Sequence, residues 1–400
     1  MEGEHWPSPT VEWFPGTEKP VGQDYTVQKV ILGTDTCGQA PNYLMLAQVK
    51  LPLQDTEIGI QSLDIDGNCS EYASSSGVAS AKVQVIKLIN HHGEVNQASF
   101  MPQNPSVIAT SSLSGDVYFP DLRLRGLTSE GSGLSWSKFK EGHLLSGAYD
   151  SQICLCDIAA APNNKALDAL RAFKVNNAGV EDVAWHMKHD YLFGSVGDDN
   201  TCLYGIYNSH QRNILSKMLL LTRRSVIVNC LAFNPHNEWI LEIGSSDTTV
   251  KLFDLIGNRI HTFDTHKRIS QVGWSPQNEI VLASSCAGRR VLVIGEEQSP
   301  EEAAEGPPEL LFIHGGHTSK IYDFSWNPCE DWIMASVAED NIIQIWQMAD
   351  HIYNDEDEDD LLEDNSPKVL MYAIYFTVHS LPPSNVFDCP EFKSDVRFVI

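Results

Sequence analysis

Nowhere in its 400 residues does the chain hold an apolar run long enough to cross a bilayer as a helix. The longest, Val369 to Val378, falls well short of the ~20 residues such a span needs, so no membrane partner is expected. A basic segment followed by an apolar one is also missing from the start, which leaves no visible secretory signal. Positive charge is scarce: 27 Lys and Arg stand against 53 Asp and Glu, a formal net charge of -26. Affinity for a phosphate backbone rests on clustered Lys and Arg that release counterions, so direct binding of nucleic acid is excluded and a basic partner is expected instead.

Cysteine supplies no framework either. Nine residues at irregular positions, an odd count in a chain this long, fit a reducing compartment. Cys154 and Cys156 alternate with Ile153 and Leu155, which reads as a strand with both sulfurs on one face; no second ligand pair follows, so the expectation is structural cysteine and no metal. Catalytic signatures are missing as well. There is no Gly-x-Ser-x-Gly elbow, no phosphate-cradling Gly-rich loop with Lys, and no His-Glu-x-x-His among 14 histidines. A non-enzymatic chain without a cofactor is expected.

What the chain does contain is repetition. Phe100, Trp136, Trp185, Phe233, Trp274 and Trp326 each close a short strand, spaced by 36, 49, 48, 41 and 52 residues. A period averaging about 45 fits four-stranded WD40 blades. An apolar strand follows each aromatic (Ser106 to Thr110, Leu144 to Ala148, Leu192 to Val196, Ile240 to Gly244, Val281 to Ser285, Ile333 to Val337). Next comes a turn with Asp116, Asp150, Asp199, Asp247 or Asp340, or once Gly288. An Asp there can bind turn amides and a neighbouring His, which predicts a stapling network of His317, Asp340, Ser336 and Trp346 in the last repeat. The Trp-Asp dipeptide itself is absent: its positions read Cys156-Asp157, Tyr204-Gly205, Phe253-Asp254 and Trp346-Gln347. Fewer buried hydrogen bonds then hold the blades, and marginal stability is expected.

Six repeats need a seventh blade to close. The region before His91 offers four strands for it, Val11 to Phe14, Tyr25 to Leu32, Tyr43 to Leu51 and Lys82 to Ile89. The expected fold is therefore all-β, a seven-bladed propeller: residues 1–90 form the first or closing blade, 91–353 six repeats, and 354–400 an acidic segment and tail. Asp355 to Asp360 with Glu363 and Asp364 is a like-charge block expected to be solvated. Beyond it, Val369 to Val378 is rich in β-branched and aromatic residues and suits pairing with an exposed blade edge.

Several segments resemble one family closely: Ile89-Asn90-His91 with Gly93-Glu94-Val95-Asn96, Met101 to Pro105, Asp121 to Gly126, Gly306-Pro307-Pro308-Glu309 running to His317, and Glu339-Asp340-Asn341-Ile342 running to Asp357. These are similar to the retinoblastoma-binding, MSI-type histone-binding WD40 proteins over roughly residues 5 to 357. The resemblance implies a nuclear, non-catalytic scaffold for core histones H3 and H4, shared by chromatin assembly, deacetylase, remodelling and Polycomb-type complexes. Two other readings stay open: a propeller adaptor such as a substrate receptor of a ubiquitin ligase, and a degenerate paralogue that has lost binding.

Two sites follow from the resemblance. In the family an acidic channel mouth takes Arg and Lys of the H3 tail; the matching positions are Glu94, Asn96, Glu130, Glu181 and Glu339, with Trp6 and Pro7 at the rim. Glu94, Glu130 and Glu181 lie six, six and four residues before their blade aromatics, which puts all three near the start of an inner strand, where carboxylates from successive blades focus negative potential. A second family site grips the first helix of H4 between an N-terminal helix and an acidic loop. That loop survives as Glu301, Glu302, Glu305, Gly306, Pro307 and Pro308, followed by apolar Leu311, Phe312 and Ile313.

Departures from the family pattern are also visible. The N-terminal helix is missing from a chain that begins near His5, so half of the H4 groove is expected to be lost. Ser132 and Ser270 stand where the family has aromatics, which is expected to weaken peptide affinity. The connection from Asp116 to Pro120 is short and the run Val291 to Gly295 omits the usual end of a blade, so damage to two outer strands is expected.

Overall fold

Gln152–Asp157 illustrates why this chain builds stacked sheets. Cys156 packs with Met101, Trp136 and Leu144 on one side, whereas Ile153 and Leu155 pack with Val180, Trp185 and Phe193 on the other. A strand buried on both faces needs a sheet above and a sheet below it. Burial pushes both thiols, Cys154 and Cys156, up to about 12. The structure is a computed structural model, and it describes residues 6–53, 82–112, 117–119, 122–160, 166–174, 178–206, 217–220, 226–265, 267–295, 309–348, 352 and 372–377.

Seven sheets result. Blade one holds β1 (Val11–Trp13), β2 (Tyr25–Leu32), β3 (Asn42–Pro52) and β4 (Lys82–His91). Blade two holds β5 (Gln97–Met101), β6 (Asn104–Ser111), β7 (Val117–Phe119) and β8 (Leu122–Arg125). Blade three holds β9 (Gly133–Trp136), β10 (His143–Gly147) and β11 (Gln152–Asp157); the chain then adds β12 (Ala166–Asp168) to the outer edge of blade two before completing blade three with β13 (Arg171–Lys174). Blade four is β14 (Val180–Trp185), β15 (Leu192–Gly197), β16 (Thr201–Ile206) and β17 (Lys217–Leu220). Blade five is β18 (Val228–Phe233), β19 (Ile240–Ser245), β20 (Thr249–Asp254) and β21 (Arg259–Asp264). Blade six is β22 (Ile269–Trp274), β23 (Leu282–Cys286), β24 (Arg290–Ile294) and β25 (Leu310–His314), and blade seven is β26 (Ile321–Trp326), β27 (Ile333–Ala338), β28 (Ile342–Gln347) and β29 (Tyr372–Thr377).

The innermost strands β1, β5, β9, β14, β18, β22 and β26 each lie against the next, and β26 lies against β1, so the ring is closed. Outer-strand damage did not materialise. The short connection near Asp116 appears as a three-residue strand, β7, and β25 completes blade six after the insertion that interrupts its pattern in sequence. Asp116 itself lies outside the described residues. Within the stretch read as a tail, Tyr372–Thr377 pairs antiparallel with β28 from Ile342↔Thr377 to Gln347↔Tyr372 and supplies the last outer strand.

The aromatics that set the period also join the blades. The indoles of Trp136, Trp274 and Trp326 donate to Ser99 O at 3.0 Å, Ala232 O at 3.3 Å and Gly273 O at 3.1 Å, each a carbonyl of the preceding blade. The residue after each aromatic staples the turn that follows. Asn234 Oδ1 accepts from the amides of His236 and Asn237, both at 2.8 Å, and Asn327, His186, Ser137 and Ser275 accept from the equivalent amide pairs. Blade seven carries a further network: His317 Nδ1 lies 3.1 Å from Asp340 Oδ2, His317 Nε2 lies 2.9 Å from Ser336 Oγ, and Trp346 Nε1 donates to Ser336 Oγ at 3.2 Å. With Nδ1 as the donor to the carboxylate, Nε2 must accept from the serine hydroxyl, so every member is satisfied.

Candidate functional site

Four inner strands carry the same irregularity. Pairing jumps from Val180 to Asp182, Val228 to Cys230, Ile269 to Gln271 and Ile321 to Asp323, so Glu181, Asn229, Ser270 and Tyr322 are the extra residues of β-bulges. A bulge re-aims the residue it inserts. All four line one cavity of about 260 Å³ at the axis, together with Pro9, Asn96 and Ser132. Each of these seven lies four residues before its blade aromatic, one per blade.

Behind this ring, Gln97, Asp182, Gln271 and Asp323 contribute to the same wall. Asp182 caps its own bulge through Val183 N at 2.8 Å and reaches the next blade through Leu231 N at 3.1 Å. Asp323 does the same with Phe324 N at 2.8 Å and Val11 N at 3.0 Å. Burial raises both carboxyls, Asp182 to about 7 and Asp323 to about 6, against those amide bonds.

Among the expected channel residues, Asn96 and Glu181 line the cavity. Asn96 Nδ2 donates to Gly131 O at 3.3 Å, and Ser132 Oγ donates to the carbonyl of Glu181. The Glu181 carboxylate accepts from Tyr149 Oη at 3.1 Å. Burial, with added repulsion from Asp198, pushes Glu181 up to about 7, while the tyrosine hydroxyl and the charge of Arg268 pull the other way. Glu94 and Glu130 lie two residues earlier than the ring, at its rim. Glu94 is raised by burial and by the neighbouring charges of Asp35 and Glu130, and Glu130 by burial.

Glu339 sits in the turn between β27 and β28, where its amide donates to Lys320 O at 3.0 Å. Burial, then its negative charge, pushes Tyr322 up to about 12. Pro7 and Trp6 are half-buried at the entry to blade one, and Pro7 O accepts from Asp35 N at 3.1 Å. Counting from the aromatics missed three residues of the wall: Asp35, on a blade-one loop, and Arg268 and Lys320. The last two stand six residues before Trp274 and Trp326, the same count that marks Glu94 and Glu130, so the signal was available.

The second expected site is only partly within view. Glu301, Glu302, Glu305, Gly306, Pro307 and Pro308 lie outside the described residues. Leu311, Phe312 and Ile313 are half-buried on β25, the outer strand of blade six. Leu311 and Phe312 pack against the core shared by blades six and seven, Phe312 with its ring centroid 5.8 Å from that of Trp346. Part of the apolar strip is therefore committed to the fold.

Residues 4–53, which include the first three strands of blade one, match the family model that describes the histone-binding protein RBBP4 and its counterpart in the CAF1 complex. The WD domain, G-beta repeat model matches residues 220–254, 257–294 and 308–347. The latter two matches begin with the outer strand of one blade, β21 or β25, and end with the third strand of the next, so successive repeats interlock their sheets. Proteins of this kind are non-catalytic scaffolds. With a histone-binding match on blade one, WD40 repeats on the later blades and a closed ring of seven sheets, the chain belongs to the RBBP4/CAF1 family of histone-binding WD40 proteins, scaffolds of chromatin complexes.

Proposed function

We propose that the axial cavity is where this scaffold holds a histone tail, with an Arg or Lys side chain of H3 entering beside Glu181 and Asn96 under the field of Glu94, Glu130 and Glu339. The observation that carries the reading is the bulge that turns Glu181 into the cavity. A carboxylate in a partly dehydrated recess attracts a cation more strongly than one on open surface, and a guanidinium can engage it with two N–H donors. Trp6 and Pro7 form the rim over which the tail passes. The chain itself performs no catalysis and acts in the nucleus, where chromatin lies. Residues 1–353 form the platform. A second contact, with the first helix of H4, uses the acidic loop 301–308 and what remains accessible of Leu311 to Ile313.

Fluorescence-anisotropy titration of the full chain with an H3 N-terminal peptide tests the first contact. Saturable binding that weakens about tenfold or more in Glu181→Gln supports it; a folded chain that ignores the peptide overturns it. An H4 first-helix peptide titrated alongside reports the second contact independently.

A further inference from the structure

The charge at the rim changes sign once around the ring. Six residues before the blade aromatics stand Glu94 and Glu130 on the adjacent blades two and three, and Arg268 and Lys320 on the adjacent blades six and seven. Uncharged Gly179 and Ile227 separate the pairs on one side, and Pro7 on the other. Arg268 and Lys320 line the same cavity as Glu181. Their close contacts are with neutral groups: Arg268 Nη2 donates to Asn229 Oδ1 at 3.1 Å, and Lys320 Nζ lies 5.4 Å from the centre of the Tyr322 ring. Between the two halves, Gln97 contributes a buried amide oxygen that lacks a hydrogen-bond partner, an acceptor suited to an incoming N–H.

A uniformly basic peptide satisfies only one half of such a mouth and brings its other cations toward Arg268 and Lys320. We infer that the mouth is built for a peptide carrying a basic and an anionic side chain close together, the cation beside Glu181 and the anion, a carboxylate or a phosphate monoester, against Arg268 and Lys320. This rests on the reading of the cavity as the histone-tail site. A cavity of about 260 Å³ is roughly 8 Å across if taken as a sphere, so the two charges stand about one to three residues apart on an extended chain. In a basic tail, phosphorylation of a serine or threonine beside an arginine creates this pair.

The test compares three N-acetylated H3 N-terminal peptides on the full chain by anisotropy: unmodified, with phosphothreonine directly after an arginine, and with glutamate in that place. Binding of an anionic form about fivefold or more tighter than the unmodified peptide, with the gain abolished in the doubly substituted Arg268→Gln, Lys320→Gln chain, is the expected result. A gain for phosphothreonine alone identifies phosphate as the anion, and a gain for glutamate alone a carboxylate. Saturable binding of the unmodified peptide with no gain from either anion, or a gain that survives the double substitution, overturns the inference and leaves the histone-tail reading standing. Failure of all three peptides to bind a folded chain overturns both.

Discussion

The Glu181 carboxyl loses its proton near neutral pH because burial and Asp198 raise it together, so its charge is adjustable where most carboxylates are fixed. Only the ionised form pairs with a cation. Affinity for an N-acetylated basic peptide should therefore rise by up to about tenfold from pH 6 to pH 8, since the peptide's own Arg and Lys do not titrate there. Glu181→Gln should flatten that profile, and an unchanged slope would place the titrating group elsewhere. Glu242 is a different case. It lies fully buried on β19, with both carboxyl oxygens unpartnered, where neighbouring blades have Gly194, Ala283 and Ala335 opposite the inner strand. Burial raises it well above the ordinary carboxylate range. As pH climbs past that range the unfolded chain releases a proton that the folded chain retains, so stability falls. Glu242→Met should raise stability by about 1 to 3 kcal/mol at neutral pH and more at alkaline pH, as read by urea unfolding across pH. A destabilised variant would mean the carboxyl has a favourable partner.

At the scale of the element, the turn after each inner strand shows what a side chain's length adds. Asn234 accepts two turn amides with Oδ1 and donates to Glu279 O of the next blade at 2.8 Å with Nδ2, whereas Ser137 and Ser275 accept turn amides through a single hydroxyl oxygen. Asn234→Ala should cost about 1 to 3 kcal/mol, and Asn234→Ser, which keeps the staple and loses the bridge, about 1 kcal/mol less than that. Equal losses in thermal unfolding would show that the bridge contributes nothing. These elements were readable in sequence to an uneven degree. The spacing of Phe100, Trp136, Trp185, Phe233, Trp274 and Trp326 located the inner strands because a large aromatic at a fixed register follows from packing one blade on the next. The bulges left no such mark. An inserted residue has no hydrophobic period of its own, so counting put Glu94, Glu130 and Glu181 in one class although only Glu181 is the bulged residue. Arg268 and Lys320 share the register of Glu94 and Glu130 but carry the opposite sign, so a pattern defined by negative charge passes over them.

Across the whole molecule, covalent interlocking fails at one place. Repeats that begin on one blade and end on the next tie the later sheets together, yet blade seven draws its outer strand from residues beyond 371 and blade one begins with its own innermost strand. The seam between them is held by side chains alone. Val11, Trp13 and Val30 share a core with Ile333, Val337 and Ile345. Around that core Asp323 binds Val11 N, Ser325 Oγ accepts from Trp13 N at 3.3 Å, and Asn327 Nδ2 donates to Gln28 Oε1 at 2.7 Å. Asp323→Ala should destabilise the chain by about 2 to 4 kcal/mol, and it should speed hydrogen exchange at the amides of Val11 and Trp13 before those of blade four. Protection lost evenly around the ring would show that the seam is no weaker than the interlocked joints.

That seam also has a consequence in time. A ribosome making about 5 to 20 residues per second finishes β1 roughly 15 to 60 seconds before it delivers β26, the strand against which β1 must rest. Throughout that interval Val11 and Trp13 have no permanent neighbour on one side, and a nascent chain with an uncovered apolar sheet is a substrate for chaperones. The earliest blade to be made is thus the last to be finished.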